Sequence, residues 1–588
     1  MCGIVGYYGS ENAAPVLLKG LEKLEYRGYD SAGIALLENG NLRVVRKKGR
    51  VSELFNVKDM SGKLGIGHTR WATHGAPSET NAHPHVYGRF AVVHNGIIEN
   101  DFALKEECRS RGEVFSSETD SEVIAHLLEF YYEGNFLTAV KSTVERLKGS
   151  YALAILCADC EGIILARKSS PLVVGSGNGG LFAASDISAI AAQGVDIYTL
   201  EDGEFALLAT EITFFDGNLK RISKEKIEYD AEDETPDKKG YRHFMRKEMA
   251  EIPAVLGKSV CDFTAAKYRE FYRVLKQTEQ IQIVACGTAY HSGLCAKHAI
   301  ESLCRVPVEV CIASEYRYSN PIVRPYTLAL AVSQSGETAD TLAAAEIAKS
   351  KGAYLVAVTN VPYSTITRLA DYVLPTNAGR EVAVAATKSF NAQLALLYSI
   401  ASALDKAKGG AGFFDEILSL PEKVKCAEEA CEEVRAWVPH FLGARSVFFL
   451  GRGADYATSL EGSLKLKEIT YLPSEGYPAG ELKHGTLALV DSSTPVVAVL
   501  TQKSVADKTM NAVHEVYARG AKVFLITCFE EYTSRKEVTA SLLLPECKEE
   551  FTPILSVLPL QALAYYVSIA RGNNPDKPRN LAKSVTVE

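Results

Sequence analysis

At 588 residues the chain is too long for one hydrophobic core and predicts about three or four domains. Its 47% hydrophobic and 23% charged residues are ordinary for a globular protein, and a net charge of -8 with an isoelectric point near 5.9 argues against a nucleic-acid or anionic-membrane surface. No run approaches the roughly 20 uninterrupted apolar residues of a membrane span, no basic segment with an apolar core opens the chain, and the 13 scattered cysteines fit reduced thiols in a cytoplasm.

Cys2 follows the initiator methionine. Removing Met1 would give it both a thiol and a free α-amino group, a nucleophile and a base in one residue. Neither group needs a large shift from its reference value of about 8.5 or 8 to act at neutral pH. Up to about residue 215 the pattern is one of short apolar alternations such as Phe90-Ala91-Val92-Val93-His94, broken by Gly and Asn turns. Helices are predicted at 13–26 and 118–132, the second with Ser/Thr capping at its start. Cys157 and Cys160 follow the apolar run 152–156 and read as a strand end, not a metal site, and His83-Pro84-His85 reads as a loop. No metal motif appears, and no cofactor is expected. The acidic, polar stretch 224–239 reads as an inter-domain linker.

Beyond it strands alternate with long helices, the sign of parallel α/β units, and the pattern occurs twice. The strands at 281–285 and 327–332 in the first copy correspond to those at 446–450 and 494–499 in the second. In the first copy the strand runs into Ser333-Gln334-Ser335-Gly336-Glu337-Thr338, hydroxyls and free amides at a helix start that suit an anion. The second copy has Thr501-Gln502-Lys503-Ser504 there, so only the first is expected to hold phosphate. Glu461, Lys465 and Glu468 fall on one helical face, where an acid/base and an ammonium can converge. Lys583 lies in a short tail whose Leu581, Val585 and Val587 suggest docking.

His68-Thr69-Arg70-Trp71-Ala72-Thr73-His74-Gly75 and His94-Asn95-Gly96, in order behind Cys2, resemble the signature of the class II glutamine amidotransferases. The resemblance implies Cys2 as nucleophile, Asn95 and the Gly96 amide as oxyanion hole, Arg70 on the glutamine α-carboxylate and Asp120 on its α-ammonium. It also places Trp71, Thr73 and His74 at the glutamine site, with Trp71 as gate to an internal ammonia path. The Ser-x-Ser-Gly-x-Thr turn resembles the sugar isomerase (SIS) domains, which bind phosphosugars.

With Tyr241-Arg242-His243-Phe244-Met245-Arg246-Lys247-Glu248, the 461–468 and 480–485 stretches and the ending 578–588, the whole chain resembles the isomerising glutamine:fructose-6-phosphate aminotransferase family. That implies L-glutamine and fructose 6-phosphate as substrates and a cytoplasmic homodimer joined through the sugar halves. Glu468 would be the proton-transfer base, Lys465 its partner, His484 the ring-opening acid and Lys583 the Schiff-base amine. Ser333, Gln334, Ser335 and Thr338 would take the phosphate.

The expected architecture is α/β and α+β multidomain: an N-terminal nucleophile αββα glutaminase domain (1–223), a linker (224–243), two doubly wound parallel-sheet SIS domains (244–408 and 409–572) and a catalytic tail (573–588). Ala289 and Ala386 stand where the family pattern has hydroxyls beside the sugar pocket, and Thr486 where it has a proline. The two alanines leave open a paralogue that aminates another ketose phosphate. A phosphosugar-sensing protein is the alternative of another class, and the joint presence of Cys2, Glu468, His484 and Lys583 speaks against it.

Overall fold

In the computed structural model, which describes residues 2–25, 27–54, 60–72, 74–177, 179–228 and 237–586, the alternating segments of the first 228 residues form antiparallel strands. They are β1 (Gly3–Gly9), β2 (Ser31–Glu38), β3 (Asn41–Lys48), β4 (Leu64–Arg70), β5 (His85–Tyr87), β6 (Phe90–Ile98) and β7 (Gly149–Cys157). Seven more follow: β8 (Ile163–Lys168), β9 (Val173–Gly177), β10 (Gly180–Ala184), β11 (Asp196–Thr199), β12 (Phe205–Leu208), β13 (Ile212–Phe215) and β14 (Arg221–Ile222). They build two seven-stranded sheets, ordered β11-β9-β10-β1-β4-β2-β3 and β14-β13-β12-β8-β7-β6-β5.

Alternation along β6 shows why both faces of a sheet are covered. Ala91 and Val93 join Ile4, Ile66, Ala154 and Leu165 in the core between the sheets. Phe90 and Val92 point the other way, into a core shared with Ile124, Leu127 and Val140. Those last residues belong to α3 (Glu122–Tyr131) and α4 (Phe136–Val144), which cover the second sheet after α2 (Asp101–Ser110). On the first sheet α1 (Ala13–Leu24) buries Leu17 and Leu21 against Val5 and Ile34. The layers are therefore αββα, as expected for this half.

Several local expectations need correction. The sequence pattern missed α2 and α4. The 118–132 helix begins at Glu122, and the Ser121 side chain does not cap it: its hydroxyl bonds His94 Nδ1 at 2.8 Å. His85 is not in a loop but opens β5, buried with His83. Residues 224–228 are not yet linker, because the Ile227 amide donates to Ile197 O at 2.8 Å. Residues 229–236 of the expected linker lie outside the described residues.

The second unit, residues 236–583, has α5 (Phe244–Ala250) as its first α-helix among the described residues. Its first repeat has β15 (Gln280–Ala285), β16 (Val308–Ile312), β17 (Thr327–Ser333), β18 (Tyr354–Thr359) and β19 (Tyr372–Pro375), parallel in the order β16-β15-β17-β18-β19. The second has β20 (Val447–Gly451), β21 (Ser474–Pro478), β22 (Pro495–Leu500), β23 (Lys522–Thr527) and β24 (Ala540–Leu543), in the corresponding order β21-β20-β22-β23-β24. Both are doubly wound sheets with a switch point between the first and third strands, where such folds bind ligands.

The repeats were expected as separate domains, yet one continuous apolar core joins Ile283, Leu330 and Leu397 of the first to Phe449, Val497 and Leu563 of the second. At its centre the Ala454–Thr470 and Pro553–Ala570 helices meet so closely that a Cβ on Gly462 would lie 2.8 Å from Leu560 Cδ1. Among the described residues one helical stretch, Glu549–Ala570, is long and apolar enough to span a membrane, a feature the composition alone did not suggest, but 89% of its apolar 18-residue window is buried in this protein.

Candidate active sites

The first site is built at the ends of β1, β4 and β6. Cys2 precedes β1, and the antiparallel pairing of Gly3 with Thr69 brings it beside the end of β4. There Cys2 Sγ accepts the Trp71 amide at 3.3 Å. Asn95 Nδ2 donates to Cys2 O at 3.0 Å, with Gly96 next to it at φ 140°, a conformation that favours glycine. Burial pushes the Cys2 thiol up from its ordinary value, opposed by the Trp71 amide and the Arg70 charge. A thiol raised in this way needs a base to become the attacking thiolate.

Arg70 Nη2 donates to His74 O and, at 3.0 Å, to Gly75 O, whereas its buried Nη1 has no hydrogen-bond partner among the described residues. That free donor suits a carboxylate. Asp120 is buried, accepts the Ile98 amide at 2.8 Å, and its charge bears on both Cys2 and Arg70. Trp71 is half-buried and His74 has an exposed side chain, while Thr73 lies outside the described residues. The loop that carries them is pinned by Asp30, which accepts the Ala72 amide at 2.9 Å, and by Asn81, which bonds Ala76 O and Glu118.

Behind Asn95 lies a cluster that the sequence reading did not single out. His68 Nε2 contacts Asn95 Oδ1 at 3.1 Å and His94 O at 3.0 Å, and its ring stacks on His83 at 4.1 Å. Burial holds the His68 and His85 imidazoles down at about 3. A neutral His68 that donates from Nε2 fixes the Asn95 amide with Nδ2 toward Cys2. The position of His68 at the head of the amidotransferase signature was the available clue.

The second site lies at the switch point of the first repeat. After β17, Gly336 turns at φ 66°, where a Cβ would meet Ser364 Oγ at 2.1 Å. Ser333 Oγ accepts the Gly336 amide at 3.1 Å and pairs with Thr338 Oγ1 at 3.0 Å, and Ser335 Oγ accepts the Glu337 amide at 3.2 Å. Gln334, Ser335 and Thr338 remain half-buried before the Ala339–Ser350 helix. In the second repeat the corresponding donors are already used: Thr501 gives its amide and hydroxyl to buried Asp455, and Lys503 gives its amide to Glu549.

Glu461, Lys465 and Glu468 share one face of the Ala454–Thr470 helix, but not as a surface ladder. Lys465 is 1% exposed and lies 2.8 Å from Glu468 and 3.4 Å from Glu461. Thr288 and His291, from the helix after β15, complete the cluster: Lys465 donates to Thr288 Oγ1 at 3.0 Å, and His291 Nδ1 lies 2.7 Å from Glu461. Burial raises Glu468, against the pull of Lys465. Although burial opposes it, the two glutamates push Lys465 above its ordinary value.

Lys583 joins this neighbourhood, since its charge also lowers Glu468, and its Nζ lies 2.5 Å from buried Glu381. Of the apolar residues expected to dock the tail, Leu581 is half-buried, Val585 is exposed and Val587 lies outside the described residues. Polar bonds anchor it as well, with Asp576 accepting the Phe244 and Met245 amides at 2.9 and 2.8 Å. His484 is exposed on a short 3-10 turn and makes no hydrogen bond among the described residues, so the single chain does not tie it to the Glu468 cluster. Among the described residues, no group of three or more His, Cys, Asp and Glu is placed to hold a metal ion.

A glutamine amidotransferase domain model matches residues 68–192, and a SIS domain model matches 274–403 and 440–571. The chain is 47% identical over 608 residues to a glutamine--fructose-6-phosphate aminotransferase (isomerizing) of Caldanaerobacter subterraneus subsp. tengcongensis and 46% identical to that of Clostridium tetani, each covering 100% of both chains. Among solved structures, the C-terminal domain of glucosamine-fructose-6-phosphate aminotransferase from Francisella tularensis matches 58% of this chain and 100% of its own at 35% identity, with a TM-score of 0.55.

Proposed function

The chain belongs to the isomerising glutamine--fructose-6-phosphate aminotransferase family, and we propose that its two sites divide the reaction between Cys2 and the Glu468–Lys583 cluster. The enzyme converts glutamine and fructose 6-phosphate to glutamate and glucosamine 6-phosphate. At the first site the α-amino group exposed by loss of Met1 takes the Cys2 proton, and the thiolate attacks the glutamine side-chain amide. The free Nη1 of Arg70 holds the α-carboxylate and Asp120 the α-ammonium. Asn95 Nδ2 carries two hydrogens; one is committed to Cys2 O, which leaves the other, with the Gly96 amide, for the oxyanion. The ammonia released is the nitrogen source for the second site.

There the 333–338 turn takes the phosphate, Lys583 forms an imine at C2, and Glu468 moves the proton between C1 and C2 beside Lys465. Burial supports this assignment, because a carboxyl raised toward neutrality can both take and return a proton. His484 acts as ring-opening acid. It is the member of the set that the single chain leaves exposed and unbonded, and a cytoplasmic homodimer joined through the isomerase halves would bury it.

The observation that carries the reading is the pairing of buried Lys465 with Glu468 at 2.8 Å, together with the buried side chain of Lys583, whose charge bears on Glu468. Incubation with amide-labelled [15N]glutamine and a panel of ketose phosphates tests it. Mass spectrometry is expected to show 15N in glucosamine 6-phosphate, and Lys583→Arg is expected to abolish that product while glutamine is still hydrolysed. Preferred labelling of another amino sugar would favour the paralogue that Ala289 and Ala386 leave open.

A further inference from the structure

Glu381, buried and unassigned, touches the nitrogen that the proposed mechanism needs as a free amine. Its Oε2 lies 2.5 Å from Lys583 Nζ and accepts Ser389 Oγ at 2.7 Å. Its Oε1 accepts the Thr387 and Ser389 amides at 2.9 and 3.1 Å. The side chain is fully buried, and that of Lys583 is 6% exposed. We propose that Glu381 is the proton acceptor that turns Lys583 from ammonium into amine before it attacks the sugar carbonyl, with Glu248 of α5 holding Glu381 in register. The inference rests on the reading of Lys583 as the Schiff-base lysine.

Three connections close into one circuit around this pair. Glu248 Oε1 accepts the Val382 and Ala383 amides at 2.5 and 3.3 Å, which fixes the two residues after Glu381. Asp576 caps the start of α5, and its own carbonyl accepts the Val384 amide at 3.1 Å. Seven residues later the same tail delivers Lys583. Thus α5, the 381–389 loop and the tail position one another, which gives a task to the 241–248 stretch that neither site had used.

Charge in the circuit sets the resting state of the pair. Lys388, on the following helix, is already paired with Glu251 at 2.9 Å, and Glu468 faces Lys583 from the Ala454–Thr470 helix, with Lys465 beside it. Burial and the nearby Glu381 charge raise Glu248 to about 8, so it is largely neutral at pH 7. Burial alone would raise Glu381 too, but the Lys583 ammonium and the Thr387 and Ser389 bonds hold it down at about 2. One ammonium therefore faces one anion. Moving a proton from Lys583 to Glu381 changes no net charge; it starts from a resting ion pair that holds the carboxyl down at about 2, so it proceeds as the amine is consumed at the sugar carbonyl.

The step balances without another reactant. An N–H bond of Lys583 breaks as an O–H bond forms on Glu381. The amine then attacks C2, the carbonyl π electrons go to oxygen, and one proton moves from nitrogen to that oxygen. The Glu381 acid gives its proton to the resulting hydroxyl, which leaves as water, and the iminium and the original carboxylate remain.

Rapid-quench borohydride trapping of fructose 6-phosphate on the full-length enzyme, read by peptide mass spectrometry from pH 6.5 to 9, tests the proposal. Wild type should be labelled at Lys583 at a rate nearly independent of pH, because the proton is stored within the pair. Glu381→Gln, which keeps an acceptor for the loop amides, should lose about 100-fold at pH 7 and regain about tenfold per pH unit, since its lysine must release the proton to solvent. Glu381→Asp should be slower than wild type but keep the flat profile, and Glu248→Gln should also stay flat. A flat profile in Glu381→Gln, whether at the wild-type rate or uniformly reduced, overturns the proposal. If that variant shows no cooperative melting, a tenfold-per-unit slope in Glu381→Asp overturns it instead. Labelling of wild type at another residue would refute the Lys583 reading itself, a result distinct from either.

Discussion

The carboxylate of Asp455 accepts the Thr501 amide at 2.8 Å, filling in the second repeat the strand end that the first repeat leaves to Ser333, Ser335 and Thr338. A built-in anion there excludes a phosphate. Thr338→Ala and Ser335→Ala should each raise the Michaelis constant for fructose 6-phosphate roughly 10- to 150-fold, the worth of a hydrogen bond to a charged group. Lys503→Ala should leave it unchanged. Steady-state kinetics at saturating glutamine measure all three, and a Lys503 effect as large as that of Thr338 would relocate the phosphate.

Cys2→Ala should abolish glutamine hydrolysis and leave binding of fructose 6-phosphate intact. Because burial raises the thiol, alkylation of wild type by iodoacetamide without glutamine should accelerate as pH rises above 8. Intact-mass analysis should show Met1 absent. Full glutaminase activity in protein that retains Met1 would exclude the α-amino group as base.

The imidazoles of His68, His83, His85 and His94 are all lowered by burial, the first and third to about 3. In the unfolded chain each takes up a proton near 6.5, so the stability they contribute is present above that value and is lost as pH falls toward 3. Uptake of the His68 and His85 protons alone on unfolding corresponds to about 3 kcal/mol per pH unit below 6.5. Trp437→Phe leaves Trp71 as sole fluorescent reporter of the amidotransferase unit. Its denaturant midpoint should drop steeply between pH 6.5 and 5, and a constant midpoint would contradict the assignment.

Ala289 opens the helix after β15, and Ala386 lies in the loop that carries Glu381. Serine at either position should lower the Michaelis constant for fructose 6-phosphate by about 2- to 10-fold, the worth of one added neutral hydrogen bond. Activity that shifts toward a different ketose phosphate would show that the alanines set substrate identity instead.

What could be read from sequence was local chemistry. Cys2, Arg70 and Asn95 stand in short signatures, and the strands that end at Ala285 and Ser333 are apolar runs bounded by turn residues. Partners distant in sequence were not legible. Glu381 follows Arg380 as one acidic residue in a mostly small stretch, and its significance comes from a lysine 202 residues away. The tail was expected to dock through Leu581, Val585 and Val587, an inference from hydropathy; Val585 is exposed, and Asp576 anchors the tail through helix-start amides that hydropathy does not register. His83 and His85 looked like loop residues because a proline separates them; their burial follows from the sheet packed behind Asn95.

One apolar core serves both isomerase repeats, and this sets the scale at which the molecule is modular. Separating the repeats between Ala407 and Phe414 would strip Leu397 and Tyr398 of their cover from Phe551 and Leu555 and leave two insoluble halves. The heritable and engineerable piece is consequently the pair. A recombination event, or a designer building chimeric aminotransferases, can exchange amidotransferase halves at the polar joint but must move the two isomerase repeats as one cassette.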